Sequence, residues 1–285
     1  MRGGLYEIFG RGEQIDMFID INAYVGHWPF RKLKNNSLCE LDKLAREYDI
    51  THMIVANLNG LFYKNAANAN LELVDELKSY NGKTQFIPFA MVNPTYPGWE
   101  RNARDMIKAG FKGFEISPLY HGYSVKPKLL FDGNAPVDFA GSVMKLAEEL
   151  NVPVRICASF ENFRGRSELD VQDNITADDL YTLIFPFESV SVFVTGFSFI
   201  AINGDLAELL KSRKNIYFDT TQTEMLVEKV WKSTLGKISE EQICFGSQSP
   251  FNYIDTNLVR VELCDGIDGE KVKENGFRAF EGERK

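Results

Sequence analysis

Several charged side chains stand inside or just after short β-rich runs, where they could serve a site. Arg155 lies within VPVRIC, and Arg164 follows in the loop behind it. Guanidinium groups that converge suit a carboxylate or phosphate ligand, which they hold through paired hydrogen bonds. Glu115, within GFEI, either pairs with Arg155 or acts as a base, and the pairing is the preferred interpretation. Asp219 ends another run, where it either orients a water molecule or accepts hydrogen bonds from nearby backbone amides.

Cys157 and the three histidines are the candidates for covalent or metal chemistry. A thiolate at Cys157 could attack a carbonyl carbon if a base lay within reach, and a small buried thiol is the alternative. His52 starts a β-rich run, whereas His27 and His121 lie in loops. Two histidines fall short of the three protein ligands of a catalytic zinc. We therefore assign His27 and His121 to hydrogen bonds or to substrate binding.

Aromatic residues recur in the loops that follow three of the β-rich runs. Such rings could line an apolar pocket for a ring-bearing substrate, pack as a lid on the fold, or form part of a homodimer interface. We place Tyr120 among the substrate-binding candidates. The aromatic loop residues are Trp28, Phe30, Phe62, Tyr63, Tyr120 and Tyr123.

Eight β-rich runs alternate with helical stretches along the chain, and this alternation predicts the fold class. Strands that alternate with helices pair in parallel, because each return crossover needs a helix. Eight units over about 270 residues predict an α/β protein, a (β/α)8 TIM barrel. A doubly wound open sheet is the alternative, but DINAYVGH lacks the glycine-rich turn that it needs. The predicted strands are Phe18–Ile21, His52–Ala56, Phe86–Val92, Gly113–Ile116, Val154–Cys157, Val190–Val194, Ile216–Asp219 and Ile243–Phe245.

Helix start signals accompany several of the predicted strands. Ser37 and Glu40 have the spacing of a capping box, and Thr176 can cap a helix together with Asp179. The loops 117–136 and 158–175 exceed the usual length, and both lie on the face where barrel active sites are built. Predicted helices begin at Ser37 and Thr176 and span about Asn70–Ser79, Trp99–Ala109, Val137–Leu150, Asp205–Leu210 and Glu224–Ser233.

Composition and charge restrict the class of protein. The 285 residues include 40 Asp and Glu against 32 Lys and Arg, and this net charge of −8 disfavours nucleic acid and membrane surfaces as partners. Four scattered cysteines and the absence of an apolar leader predict a cytoplasmic protein with reduced thiols. The glycine-rich residues 1–16 are predicted to form an N-terminal arm, and residues 17–285 a single barrel domain.

Five motifs carry a family resemblance. These are FIDINAYVGHWPF, GFKGFEISPLYHGY, NVPVRICAS, NIYFDTT and QICFGSQSPF. In this order they resemble the first, fourth, fifth, seventh and eighth strand segments of the amidohydrolase superfamily, specifically its amidohydrolase-related branch. The resemblance runs from Met17 to about Phe280. It implies an amidohydrolase-like barrel and a hydrolase or lyase activity.

The resemblance also implies a divalent metal, usually zinc. The expected ligands are an H-x-H pair after strand one, histidines after strands five and six, and an aspartate after strand eight. An amide, a phenol or a lone thiol does not build such a zinc site at useful affinity. We therefore expect no catalytic zinc and no other cofactor. The altered catalytic positions are Asn22, Tyr24, Cys157 and Gln248, to which we add Asp219.

Three hypotheses for the function follow. The first is a metal-independent hydrolase or lyase of a small carboxylated or cyclic substrate. The second is a pseudoenzyme that binds a ligand or partner at the barrel mouth without turnover. The third is a metal held elsewhere by loop residues such as His121 and Glu161. The expected partner is an anionic small molecule, and a homodimer remains open. Substrate-binding candidates are His27, Tyr120, His121, Arg155 and Arg164.

Overall fold

β-Branched and aromatic residues form the strands of a single parallel sheet, in agreement with the alternation in the sequence. The computed structural model describes residues 17–128, 136–161, 166–170, 175–222, 234–262 and 266–281. Its eight strands are hydrogen-bonded in chain order. They are β1 Ile19–Val25, β2 His52–Asn57, β3 Gln85–Met91, β4 Gly113–Ile116, β5 Val154–Cys157, β6 Val192–Thr195, β7 Ile216–Asp219 and β8 Ile243–Cys244.

The sheet closes on itself where β1 meets the end of β8. The backbone N–H of Ile21 donates to the carbonyl of Phe245 at 3.0 Å, and that of Tyr24 donates to the carbonyl of Ser249 at 2.8 Å. The predicted (β/α)8 barrel is therefore confirmed. The C-terminal ends of the strands, with the loops that follow them, are called the mouth below, because active sites of this architecture are built there.

In the part of the chain that the structure describes, a helix follows each of the strands β1 to β6, and three more follow β8. Among the helices that the structure describes, none is long and apolar enough to cross a membrane. They are α1 Leu38–Glu47, α2 Ala66–Ser79, α3 Trp99–Lys108, α4 Phe139–Leu150, α5 Ala177–Ile184, α6 Gly204–Ser212, α7 Ile254–Glu262, α8 Gly269–Glu274 and α9 Arg278–Glu281, with short 3-10 turns at Leu58–Leu61, Phe199–Ala201, Glu240–Gln242 and Asn275–Phe277.

Strands β4, β5 and β7 begin and end where the sequence predicts. Strand β1 runs four residues further than predicted, because it continues past an irregularity between Asp20 and Ala23. Helix α2 begins at Ala66 rather than near Asn70, and the side chain of Asn65 caps it. The prediction of an arm over 1–16 and of a helix over 224–233 lies outside the described residues, as do parts of both long loops.

The two predicted capping boxes have different outcomes. At α5 the box is confirmed, since Thr176 and Asp179 exchange both hydrogen bonds. At α1 it is wrong, because the hydroxyl of Ser37 donates to the carboxylate of Glu40 instead of accepting from the helix backbone. The backbone N–H of Leu38, the first residue of α1, donates to the carboxylate of Glu76 on α2 at 2.6 Å. A neighbouring helix therefore supplies the acceptor that the local sequence was expected to supply.

Apolar side chains fill the lower part of the barrel interior. The rings of Phe89 on β3 and Phe193 on β6 lie 6.1 Å apart across the barrel. His52, at the start of β2, packs its ring edge-on against Phe277, so it lies at the end of the barrel opposite the mouth, as predicted. The interior cluster comprises Ile19, Ile21, Ile54, Ile87, Phe89, Phe193, Tyr217, Cys244, Phe277 and Ala279.

Asp42 of α1 fastens this helix to the segment that leads into β3. One oxygen of its carboxylate accepts hydrogen bonds from the Tyr80 hydroxyl, the Lys83 N–H, and both the N–H and the hydroxyl of Thr84, all at 2.9–3.0 Å. Burial raises the pKa of Asp42, but these hydrogen bonds outweigh it and lower the pKa to about 2. The carboxylate form is therefore the one that stabilises the fold.

We expect Asp42→Asn to lower the free energy of unfolding by about 2 kcal/mol at pH 7. This is the free energy that corresponds to the lowering of the Asp42 pKa from 3.8 to about 2. Because the folded-state pKa is depressed, this stabilisation is complete above the unfolded pKa of 3.8 and is lost as the pH falls toward 2. Urea unfolding at pH 7 and pH 3 measures it. The control Asp75→Asn, at an exposed site of α2, should change stability little. An Asp42→Asn cost that grows in acid would contradict the assignment.

Candidate active site

The centre of the barrel contains a buried ion pair between neighbouring strands. Glu115 on β4 and Arg155 on β5 are register partners, and neither side chain is exposed. The Arg155 Nε donates to the Glu115 carboxylate. Its Nη1 donates to the backbone carbonyls of Ile21 at 2.8 Å and Ile54 at 3.0 Å. The pairing of Glu115 with Arg155 is thus confirmed.

Tyr24 covers this ion pair on the side of the mouth. Its hydroxyl donates to Glu115 Oε1 at 3.2 Å, and the Arg155 Cζ lies 4.7 Å from the centre of its ring. Burial raises the pKa of Tyr24 well above its ordinary value, so the phenol stays protonated. We call Tyr24, Glu115 and Arg155 the central triad. Substrate binding by Arg155 stays a prediction. In the structure its guanidinium is hydrogen-bonded to groups inside the barrel.

Asp219 lies at the end of β7, on the opposite side of the barrel from β3 and β4. Its carboxylate accepts hydrogen bonds from Asn22 Nδ2 at 2.6 Å, from the Gly196 N–H at 3.0 Å and from the Thr221 hydroxyl. Burial raises the pKa of Asp219 to about 6, although these hydrogen bonds act in the other direction. A carboxyl group with this pKa can both take and give a proton near neutral pH.

A second buried carboxylate lies beside Asp219. Asp20 accepts from the backbone N–H groups of Asn22 and Ser247, both at 2.9 Å, and its charge contributes to the raised pKa of Asp219. Gly246 passes so close that an added Cβ would lie 2.7 Å from the Cβ of Asp219. Asp20 is not among the site residues predicted from the sequence. The D-x-N spacing that places Asp20 two residues before Asn22 was the available signal.

Gln248 holds two loops of the mouth together. Its backbone is left-handed, with φ at 57°, which is unusual for a residue with a side chain. Its Nε2 donates to the Ser159 carbonyl at 2.8 Å, and its Oε1 accepts from Asn252 at 2.9 Å. Both ends of the amide are thus engaged, and a catalytic role for Gln248 stays a prediction.

The remaining candidates are distributed around the mouth. Burial raises the pKa of the Cys157 thiol well above its ordinary value, which favours the buried-thiol alternative over a nucleophile. His27 is exposed, and its backbone N–H donates to Asn59 Oδ1 at 2.9 Å. The His121 Nε2 lies 3.0 Å from the Gly60 carbonyl, and burial lowers the pKa of its ring. Arg164 lies outside the described residues.

Aromatic rings close the mouth above the central triad. Trp28 is 1% exposed, and it contacts rings that come from the loops after five strands. Tyr120, one of these, also donates its hydroxyl to Asp170 at 2.8 Å. We call this group the aromatic cap; its members are Trp28, Phe30, Phe62, Tyr120, Phe160 and Phe251.

Comparison with known proteins supports the fold. No protein-family model and no curated protein matches the chain. A 2,6-dihydroxybenzoate decarboxylase complexed with 2,6-dihydroxybenzoate matches with a TM-score of 0.66 and 13% identity over 93% of this chain and 99% of its own. A dihydroxybenzoic acid decarboxylase from Polaromonas sp. JS666, with bound manganese and 2-nitroresorcinol, gives 0.65 and 12% over 94% and 98%. An amidohydrolase II gives 0.61 and 12% over 93% and 99%.

These matches confirm the barrel fold that the motifs predict. They also correct one expectation. The chain was expected to have no metal cofactor, and this is contradicted by the manganese bound in the decarboxylase of the same fold. The expectation rested on the loss of the histidine and aspartate positions, whereas manganese also accepts other carboxylate and carbonyl oxygens.

The side chains that the structure describes provide no cluster of the usual metal-binding groups. Over these ranges, no three or more His, Cys, Asp or Glu residues come together in a group that could hold a metal. Asn22 turns its amide nitrogen toward Asp219, the phenol of Tyr24 donates to Glu115, and both ends of the Gln248 amide are engaged. The chemistry proposed below is therefore derived from the chain's own acid, base and hydrogen-bonding groups.

We expect Arg155→Met to destabilise the fold by about 3–5 kcal/mol, because it leaves the Glu115 carboxylate buried without its cation. The double variant Glu115→Met/Arg155→Met removes both charges and keeps the volume, and we expect it to recover most of that loss. Chemical denaturation of both variants measures the difference. A double variant as unstable as the single one would show that the charges do not act as a pair.

Proposed function

We propose that this protein is a hydrolase or decarboxylase of a small ring-bearing carboxylic acid, and that Asp219 is its acid–base group. The observation that carries the proposal is the fully buried Asp219 carboxyl at the C-terminal end of β7, whose pKa is raised to about 6. Perturbed carboxyl groups at this end of a barrel are typical of acid–base catalysis. Asn22 and Thr221 hold the carboxyl in one orientation.

The same carboxyl can serve either reaction, in opposite protonation states. In hydrolysis of a carboxylated lactone, ionised Asp219 takes a proton from a water molecule as the water oxygen bonds to the lactone carbonyl carbon and the carbonyl π electrons move onto oxygen. The bond from that carbon to the ring oxygen then breaks, and the ring oxygen leaves with the proton that Asp219 took. In decarboxylation, the bond from the ring carbon to the carboxylate breaks and its electron pair stays on the ring. That ring carbon then takes the proton of neutral Asp219 as carbon dioxide leaves. Asn22 donates to the carboxyl and stabilises its ionised form in both cases.

The surroundings of the mouth support a ring-bearing, anionic substrate. The rings of Trp28, Phe160 and Phe251 provide apolar, aromatic contact area. Arg31 on the rim provides a cation whose side chain is 44% exposed. A neighbour of the same fold was solved in complex with 2,6-dihydroxybenzoate, a ring that bears a carboxylate. Bringing that substrate class to this chain is part of the proposal.

A non-catalytic binding protein is the second candidate. It is supported by the hydrogen bonds that polar side chains of the mouth form with other protein groups. Gln248 is held by Ser159 and Asn252, and the hydroxyl of Tyr24 donates to Glu115. Such a protein would keep the ligand site and would not turn the ligand over. Turnover therefore separates the two candidates.

A panel of ring carboxylates and lactones tests the proposal. We expect carbon dioxide release from a hydroxylated benzoate such as 2,6-dihydroxybenzoate, or ring opening of a carboxylated lactone. Each substrate is assayed with added Mn²⁺ and without it, so that the result does not depend on the metal content of the preparation. Saturable binding of panel members without turnover in either buffer would contradict the enzyme proposal and favour the binding protein.

The dependence of the rate on pH assigns the role of Asp219. Hydrolysis needs ionised Asp219, so kcat/KM should rise as the pH rises through about 6, whereas decarboxylation needs the neutral form and should decline over the same range. We expect Asp219→Asn to lower kcat by about 100-fold or more and to remove the transition near pH 6. The exposed Asp205→Asn serves as control. An unchanged profile in Asp219→Asn would assign the acid–base role to another group.

A further inference from the structure

We propose that Arg31 is a carboxylate-binding residue at the rim of the mouth, and that an incoming carboxylate displaces Glu161 from Arg31. Loss of Glu161 from its position releases Trp28 and opens the aromatic cap. The ligand class rests on the proposed function, but the tests below measure binding and cap opening without turnover.

Trp28 is the centre of the aromatic cap. The centre of its ring lies 4.8 Å from the ring centre of Phe251 and 5.6 Å from the ring centres of Phe62 and Phe160, in edge-on or tilted contacts. Phe160 and Phe251 also pack on Tyr24, which forms the floor of the mouth. A ligand that approaches Tyr24 from the side of these rings must therefore first move the cap.

One carboxylate connects Trp28 to the rim. The indole N–H of Trp28 donates to Glu161 Oε2 at 3.0 Å, and Arg31 Nε donates to Glu161 Oε1 at 2.5 Å. The Glu161 side chain is 4% exposed. Because a buried N–H needs an acceptor, Trp28 keeps its place in the closed cap as long as Glu161 keeps its own. The Trp28–Glu161–Arg31 chain is called the latch.

Arg31 is the part of the latch that an anion in solution can reach. Its side chain is 44% exposed. It is also fixed independently of Glu161, because its Nη2 donates to the Phe251 carbonyl at 3.2 Å and its guanidinium lies 5.9 Å from the centre of the Phe251 ring. A substrate carboxylate accepts hydrogen bonds from a guanidinium in the same way as the carboxylate of Glu161. It can therefore replace Glu161 on a guanidinium that is already in position.

The exchange assigns the two ends of the ligand to two parts of the mouth. The carboxylate takes the place of Glu161 on Arg31, and the ring takes the place of the displaced Trp28 among Phe160 and Phe251. A ligand with only one of these groups gains only one of the contacts. Benzoate, which has both, should open the cap more effectively than acetate or benzyl alcohol.

Quenching of Trp28 fluorescence by acrylamide measures the opening. The chain has three tryptophans, so the measurement uses a Trp99→Phe/Trp231→Phe background in which Trp28 is the remaining one. We expect benzoate to raise the quenching constant of Trp28 at least two-fold and in a saturable way, and the same concentration of acetate or benzyl alcohol to do so far less. Equal effects of benzoate and benzyl alcohol would overturn the carboxylate exchange.

Variants of the latch separate exchange from a structural role. Glu161→Gln removes the competing charge, so Trp28 should be more readily quenched without ligand, and benzoate should bind several-fold more tightly. Arg31→Gln should abolish the benzoate effect, and Arg31→Lys should keep part of it. The exposed Glu168→Gln, in the loop after β5, is the control and should behave as wild type.

Two outcomes would overturn the latch. One is an unchanged benzoate effect in Arg31→Gln, and the other is a Glu161→Gln variant in which Trp28 is as protected as in wild type and benzoate binds no more tightly. The thermal unfolding midpoint is recorded for each variant, because local opening leaves it nearly unchanged and general destabilisation lowers it. If benzoate opens the cap and no panel substrate is turned over, the latch stands and the proposed enzymatic function fails.

Discussion

The ion pair between Glu115 and Arg155 is the constraint on which the rest of the barrel interior depends. Two charges in the middle of a barrel are acceptable only when hydrogen bonds replace the water that they lose. Arg155 therefore donates to the carbonyls of Ile21 and Ile54 as well as to Glu115, which connects β1, β2, β4 and β5. Tyr24 completes the arrangement from above and becomes the floor of the mouth.

This arrangement divides the mouth into two chemically different parts. Near β4 and β5, the charges of Arg155 and Glu115 are adjacent and fully buried. They largely cancel, so the electrostatic potential that a ligand meets in this part is small. Near β7 and β8, Asp219 and Asp20 are two carboxylates whose closest partners are amides and hydroxyls. Burial raises the pKa of Asp219 into the range that is useful for proton transfer, and the hydrogen bonds from these partners offset only part of that shift.

The sequence predicts what depends on local pattern and adjacent strands. The bounds of β4, β5 and β7 and the Glu115–Arg155 pair follow from short buried runs and from their register. The irregularity in β1 and the acceptor that Glu76 supplies to Leu38 depend on neighbouring elements and could not be predicted. The latch joins Trp28 to Glu161 across 133 positions of the chain, and the pKa of Asp219 depends on its burial; a strand pattern indicates neither.

The cap and the central triad are physically connected, and this links access to electrostatics. Phe160 packs against both Trp28 and Tyr24, with ring centres 5.6 Å and 5.1 Å apart. Displacement of Trp28 therefore removes a packing partner of Phe160, which in turn packs on the ring that covers Arg155. Water that enters there raises the local dielectric and weakens the attraction between Glu115 and Arg155. A ring that replaces Trp28 keeps water out and preserves the pair. The proposed exchange at Arg31 therefore favours an occupant that is aromatic as well as anionic.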